Sequence, residues 1–512
     1  VIAPAAAASA PAPRPRRGGT RLLAGLAATL ALLAALAVGT WLTWTRRALP
    51  QVDGQARLPG LSAAVTVRRD ALGVPHLQAA NMPDVLRAQG YVTAQDRLWH
   101  MDLLRRRALG ELAEAFGEGL LRADREVRTL GLGFAARREL GLLDADARAA
   151  IESYADGVNA YLAERGARLP LEFRLLRYEP RAWTALDTLA VGMLLSHDLA
   201  QGWESEAVRA MLDTRLPPDV LDVLYPSRFA DDRVLFSDDT PGLASPVTPG
   251  EHARGSNNWV ISGAHTATGK PLLANDPHLG LGVPSIWTAV HLSAPGLEVA
   301  GVTLPGIPGV ILGRNARVAW GCTNVHDDSA DLYVEEMDPS RPDHYRTAEG
   351  WERLEVRTEP IRVREGQLSR AWRTAEHEVR STKRGPLLEI RGRVYALRWT
   401  MHRETGGFSA FQRMNHAAGW DDFEAALRLF PGPSQNFVYA DAEGHIAWYS
   451  AGRLPRRRGG DGSRPYQGAS ADGDWLGYVP FEELPHAVDP PSGRLVTANN
   501  RLVGAAYPHR VG

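Results

Sequence analysis

The chain has 512 residues, enough for several domains or for one large body with a substantial core. Its 58 Lys and Arg nearly cancel its 59 Asp and Glu, so no global field draws it toward nucleic acid, and 44% hydrophobic residues exclude disorder beyond the ends. A single cysteine, Cys322, excludes an intrachain disulfide and a cysteine-based zinc site.

Residues 1–21 are rich in Ala, Pro and Arg and are expected to be disordered. Arg14, Arg16, Arg17 and Arg21 then precede an uncharged run over 22–45, which Arg46 and Arg47 close. At about 1.5 Å per residue this run is long enough to cross a bilayer as a helix, and its heavier basic flank places the N-terminus in the cytoplasm. Everything after it is then exported, to the periplasm or to the outer face of the cytoplasmic membrane. Ala35-Leu36-Ala37 also offers a small-x-small cleavage site, so signal peptide and uncleaved anchor both stand; the apolar run through Trp41 and Trp44 favours the anchor.

Residues 48–60 read as a linker, with Pro50, Gly54, Pro59 and Gly60. Residues 61–225 form a helix-rich front: Leu103, Leu104, Ala108, Leu112 and Phe116 recur at helical spacing, and a second helical stretch covers 185–212. Residues 226–255 turn acidic and rich in Pro and Gly, as an exposed spacer does. From Ser256 to the end, short runs such as Trp259-Val260-Ile261 and Phe437-Val438-Tyr439 alternate with turns, which predicts many strands. No internal repeat is present.

The boundary between spacer and strands reads Arg254-Gly255-Ser256-Asn257-Asn258-Trp259. A serine hydroxyl needs a base to become a nucleophile, and no Gly-x-Ser-x-Gly elbow surrounds Ser256. Cutting the Gly255–Ser256 bond would supply one, because the freed α-amino group has an ordinary pKa of about 7.7–8.0. Unbranched Gly255 leaves its carbonyl open to the neighbouring hydroxyl, whereas an ordinary surface Gly-Ser turn is the competing account. Asp328 and Asp331, three apart, could give a hard cation its oxygens or be plain loop acids. Gly280-Leu281-Gly282 is too short for a dinucleotide loop, and Arg105-Arg106-Arg107 reads as a charged helix face paired with Glu111 and Glu114.

Several motifs in order resemble the penicillin acylase family of N-terminal-nucleophile hydrolases. They are Gly90-Tyr91-Val92-Thr93-Ala94-Gln95-Asp96-Arg97-Leu98-Trp99, Ser256-Asn257-Asn258-Trp259-Val260, Asn275-Asp276-Pro277-His278, Trp320-Gly321-Cys322-Thr323-Asn324, Asp328-Ser329-Ala330-Asp331-Leu332-Tyr333, Gln435-Asn436-Phe437-Val438-Tyr439-Ala440-Asp441 and Gly452-Arg453-Leu454-Pro455-Arg456-Arg457. The resemblance covers 61–501. It implies an α+β fold, a four-layer αββα sandwich with a helix-rich front chain wrapped on a strand-rich back chain, the two cut from one precursor as a heterodimer. It implies an amidohydrolase whose Ser256 attacks the amide of a small N-acyl substrate, such as a penicillin, an acyl-homoserine lactone or a lipopeptide.

His278 matches a position that tunes the amine or lines the site, and Asn436 the side-chain donor to the oxyanion. The backbone donor falls at Asn324 or Val325, with spacing favouring Asn324. Arg457 matches an arginine near the site, with Arg456 and Arg458 as competitors. One structural calcium is implied, held by Glu206 (or Glu204), Asp328, Asp331 and the Ala330 carbonyl, and no organic cofactor. Family members continue well past Thr497-Ala498-Asn499-Asn500-Arg501, so a chain ending at Gly512 is expected to be incomplete. Two other readings stay open: a catalytically inactive, membrane-anchored binding protein of the same fold, and a conventional serine hydrolase with His278 or His326 as base.

Overall fold

A computed structural model describes residues 17–200, 202–224, 255–366, 369–403, 406–504, 506–509 and 511. Residues 1–16 and, apart from Gly255, the spacer over 226–255 lie outside them. Helix α1 (Arg17–Arg46) contains the apolar run; residues Leu22–Arg46 have a mean hydropathy of 2.3 and none is buried. Before Trp44 none of the described residues covers its apolar surface, and its length suffices for a membrane. Its last turn is tied to the body. Arg174 donates to the Trp44 carbonyl at 2.7 Å and stacks on the Trp44 ring, while Arg165 donates to the Arg47 carbonyl at 2.9 Å.

The front supplies strands β1 (Thr66–Arg69) and β2 (Pro75–Gln78) and helices α2 (Met82–Leu109), α3 (Ala145–Arg165), α4 (Ala185–Leu199) and α5 (Gly202–Asp213). Asn81 starts α2 by accepting from the Asp84 amide, and Gly110 ends it at φ 63°, a left-handed conformation glycine adopts without strain. Helices α2 and α3 pack backbone to backbone: a Cβ at Gly90 would lie 2.0 Å from the Tyr154 carbonyl oxygen, and one at Gly157 1.8 Å from that of Arg87. Thr184 and Asp187 close a capping box on α4.

The back supplies β3 (Gly255–Ile261), β4 (Leu272–His278), β5 (Thr288–Ala294), β6 (Leu297–Thr303), β7 (Leu312–Asn315), β8 (Val318–Asn324), β9 (Ala330–Val334), β10 (Arg393–Trp399), β11 (Gln435–Asp441), β12 (Ile446–Ala451), β13 (Pro455–Arg457), β14 (His486–Val488) and β15 (Arg494–Thr497), with helices α6 (Gly407–His416) and α7 (Trp420–Leu427). A nine-stranded sheet runs β1-β2-β5-β6-β7-β8-β11-β12-β14, and β2 with β5 is its parallel pair. Its β11 is buried along its whole length, so its two faces separate two cores. Phe437 and Tyr439 join the helix-side core with Val92, Tyr154 and Phe423. Val438 and Ala440 join Val260, Trp448 and Leu495 on the side of a second sheet, β15-β3-β4.

Helices, large sheet and small sheet thus form three stacked layers of an α+β body. Of the four layers expected, the outer helices beyond the small sheet are not found among the described residues, where Trp259 and Val496 on its far face are exposed.

Candidate active site

Strand β3 alternates. Ser256, Asn258 and Val260 are buried against the large sheet, and Asn257 and Trp259 point away. Ser256 pairs with Pro277, and both line a cavity enclosing about 1030 Å³ of empty space, mouth included. One face of α4 (Leu189, Met193, Leu199) borders it, with Phe408, Phe411, Phe430 and Trp287 around the rest. Among the described residues its one carboxylate is Glu139, which accepts from the amides of Gly406 (3.3 Å) and Phe408 (3.4 Å) and whose pKa burial pushes up. Burial also pushes the Cys322 thiol up to about 12, so this lining sulfur stays a neutral thiol at physiological pH.

The two sheets meet closely beside Ser256. A Cβ at Gly321 would lie 2.5 Å from the Asn275 Cβ, and Asn275 uses the space to bind both strands. Its Nδ2 donates to the carbonyls of Cys322 (2.9 Å) and Asn257 (3.0 Å), and its Oδ1 accepts from the Cys322 amide (3.2 Å).

Asn436 lies fully buried on the face of β11 turned to the small sheet. Trp448 Nε1 meets its Oδ1 at 3.1 Å, and because an indole N–H can only donate, the amide orientation is settled. Nδ2 then faces Thr323 Oγ1 at 3.2 Å with one hydrogen, leaving the other as a donor. Thr323 is held by Thr497 at 2.9 Å. A further residue has a place that its sequence motif did not suggest: Asn499, at φ 58°, accepts from the Ser256 backbone N–H and donates to the Asn324 carbonyl at 2.7 Å. Its only sequence signal is an Asn-Asn pair after a strand, where asparagine tolerates the left-handed region.

The remaining expected residues divide. Asn324 lines the cavity, its side chain held by the Leu199 carbonyl (2.9 Å) and Gln435 Nε2 (2.9 Å). The Val325 amide donates to the Ser434 carbonyl at 3.1 Å, so it is engaged within the chain and not left for an oxyanion. His278 does not share the face of Ser256. It is opposite Gly255 in the ladder, its side chain is 45% exposed, and its Nε2 meets Asp276 Oδ2 at 2.7 Å, while its neighbours Pro277 and Leu279 line the cavity. His326, at φ 57°, lies 3.3 Å from Asn324 Nδ2, and burial lowers its pKa.

Arg457 is the inward one of its three arginines, between exposed Arg456 and Arg458, but it does not border the cavity. Its Nε bonds both Asp331 oxygens at 3.0 and 2.8 Å, and its Nη2 donates to the Asp328 carbonyl at 2.6 Å. Burial alone would weaken this base; Asp328 and Asp331 reverse that and raise its pKa.

Those two acids form a cluster with Glu206 of α5, the ligand oxygens lying within 4.8 Å of one another. Ala330 opens β9 beside them, opposite Trp399 of β10. Glu204 is exposed while Glu206 is buried; Glu206 Oε2 accepts from the Leu332 amide at 3.1 Å, and its Oε1 has no hydrogen-bond partner among the described residues. Burial first, then the charges of Asp331 and Asp328, raise the Glu206 pKa well above its usual value. Three carboxylates against one guanidinium leave an excess of negative charge and a spare buried oxygen, which fits a hard cation.

The chain belongs to the penicillin amidase family, whose family model matches residues 64–512. It is 35% identical over 491 residues to a penicillin acylase 2 proenzyme of Pseudomonas sp. (strain SE83), covering 90% of this chain and 62% of that protein. It is 34% identical over 497 residues to the acyl-homoserine lactone acylase QuiP of Pseudomonas aeruginosa, covering 90% and 57%. The chain therefore spans only about three fifths of the length of these relatives. Among solved structures, a thermostable penicillin G acylase from Alcaligenes faecalis is 28% identical with a TM-score of 0.44, covering 49% of this chain and 45% of that one.

Proposed function

We propose that this protein is an autoprocessing acylase that hydrolyses the amide of an N-acyl compound to a carboxylic acid and an amine. In the uncut chain the Ser256 nitrogen is an amide, which cannot act as a base. Cutting after Gly255 turns it into an amine that takes the Ser256 hydroxyl proton as Oγ attacks the amide carbonyl carbon. The amine then passes that proton to the leaving nitrogen, the C–N bond breaks, and the acyl group stays on Oγ as an ester that water hydrolyses. The Asn436 Nδ2 hydrogen and the Asn324 backbone N–H serve the tetrahedral oxygen. Asn499 keeps the Ser256 nitrogen in place, and the apolar cavity takes the acyl group.

The observation that supports this reading most is Ser256 at an apolar cavity with its nitrogen held by Asn499. A panel of N-acyl compounds, differing in acyl length and aromaticity, tests it. Wild-type protein is expected to release acid and amine, and Ser256→Ala none; release that survives Ser256→Ala sinks the proposal. Blocking the freed α-amino group by acetylation should stop turnover, whereas a serine hydrolase using His278 or His326 would keep it.

Glu206, Asp328, Asp331 and the Ala330 carbonyl are the proposed holders of one structural calcium that ties α5 of the front chain to β9 of the back chain. Chelation should lower the melting temperature, and an unchanged melt would count against the site. We place the protein on the outer face of the cytoplasmic membrane, anchored by α1; the apolar run that continues past Ala37 through Trp41 and Trp44 supports an anchor over a cleaved signal.

A further inference from the structure

The parallel pair of β2 and β5 joins the front strands to the back of the large sheet, and in its register His76 stands opposite His291. The two rings meet edge to face, Nδ1 to Nδ1, at 3.0 Å. Behind them, His291 Nε2 bonds Glu298 Oε1 at 2.6 Å and His76 Nε2 faces Asp70 Oδ2 at 3.5 Å. Ionised carboxylates only accept, so His291 Nε2 carries a hydrogen, and a neutral imidazole has one N–H to give; Asp70, farther off, favours the same tautomer at His76. His291 Nδ1 is then a lone pair, and with the same tautomer at His76 the two Nδ1 lone pairs converge on one point that a cation can occupy; without one, His76 takes the other tautomer and donates across the 3.0 Å gap.

We propose that His76 and His291 form a binding site for a divalent d-block metal ion, Zn2+ being its representative, with water completing the shell. Two Zn–N bonds of about 2.0–2.1 Å to one ion close over a gap of this size after a small opening of the rings. A carboxylate on the outer nitrogen of each ligating histidine is the arrangement that fixes the tautomer and strengthens the ligand. The side chains are 43% and 27% exposed on an open groove, so water reaches the ion. Arg68 stands beside His76 across β1 and, with Arg69 in the same groove and Arg314 near Glu298, opposes a positive charge there; Arg68 is exposed to solvent, Asp96 pairs Arg69, and Asp70 and Glu298 lie directly behind the two rings. His76 precedes Ser256 and His291 follows it, so on the proposed processing, which this role alone rests on, the ion would clip the two chains together.

Calorimetric titration of the full chain with ZnCl2 tests the site, with calcium in excess to fill the carboxylate cluster and the pH above the ordinary imidazole value of about 6.5. Wild type should bind zinc, and His76→Ala and His291→Ala should each weaken it by about tenfold or more, with Glu298→Gln costing about tenfold. Circular dichroism is expected to show these variants folded, since neither histidine is buried. The uncut Ser256→Ala chain should bind as wild type does, because the site needs the fold and not the cut. No zinc binding by wild type, or equal binding in the histidine variants, overturns the proposal.

Discussion

The cavity at Ser256 and the cluster around Arg457 are both interior sites, yet they are built from opposite materials. The polar groups assigned to the proposed chemistry at Ser256 are amides and hydroxyls whose orientation other groups fix, as Trp448 does for Asn436 and Asn499 for the Ser256 nitrogen. The second site holds the carboxyl groups of Glu206, Asp328 and Asp331 beside the Arg457 guanidinium, ionisable groups whose charges must be matched wherever they are present. A site that meets charge only in the transition state benefits from neutral, preorganised donors, while a buried ionic cluster holds only as long as every charge has its counterpart. Substitutions in the first should therefore reach turnover before stability, and those in the second stability before turnover.

The largest effect expected is in the cluster. Asp331→Ala strips Arg457 Nε of the carboxylate that accepts from it and Trp475 Nε1 of its acceptor, and should cost about 3–5 kcal/mol in denaturant unfolding. If the loss is much smaller, Arg457 is not the fixed charge the geometry makes it. Next comes Asn436→Ala, expected to lower kcat by about 10²–10³-fold through the oxyanion, with KM little changed; a fall in KM-dependent binding alone would remove Asn436 from the chemistry. Trp448→Phe loses the N–H and part of the indole's volume, leaving a buried Asn436 oxygen unsatisfied at about 1–3 kcal/mol besides a cavity, and should slow turnover through the freed amide.

The smallest is a slope. Glu335, pressed against Gly468, is pushed up to about 7 by burial. Between the ordinary carboxyl value of about 4.3 and that figure the folded state binds more protons than the unfolded one, so stability falls as pH rises through this window. Glu335→Gln should flatten that fall in melting temperature; an unchanged profile would assign it to another group.

Part of this is legible in the amino-acid sequence. The change of periodicity at Ser256 and the pair Asp328 and Asp331 are local signals, and local signals survive in sequence, whereas Asn436 stands out only through the resemblance. What was not legible depends on partners far away. His278 follows Pro277 by one residue, and only the register of β3 on β4 shows that 277 shares the face of Ser256 and 278 does not. Whether Arg457 serves the nucleophile or the acids was decided by β13 lying across from Asp331, and the hold of Asn499 on Ser256 spans 243 residues. The outer helical layer follows from the resemblance alone, and the described residues do not supply it.

The central claim is that Ser256 becomes an N-terminus, and intact-mass measurement with N-terminal sequencing tests it most directly. Wild-type protein should give two chains, the second beginning Ser256-Asn257-Asn258, and Ser256→Ala should give one uncut chain. Wild-type protein that stays in one piece while hydrolysing its substrate would contradict the account.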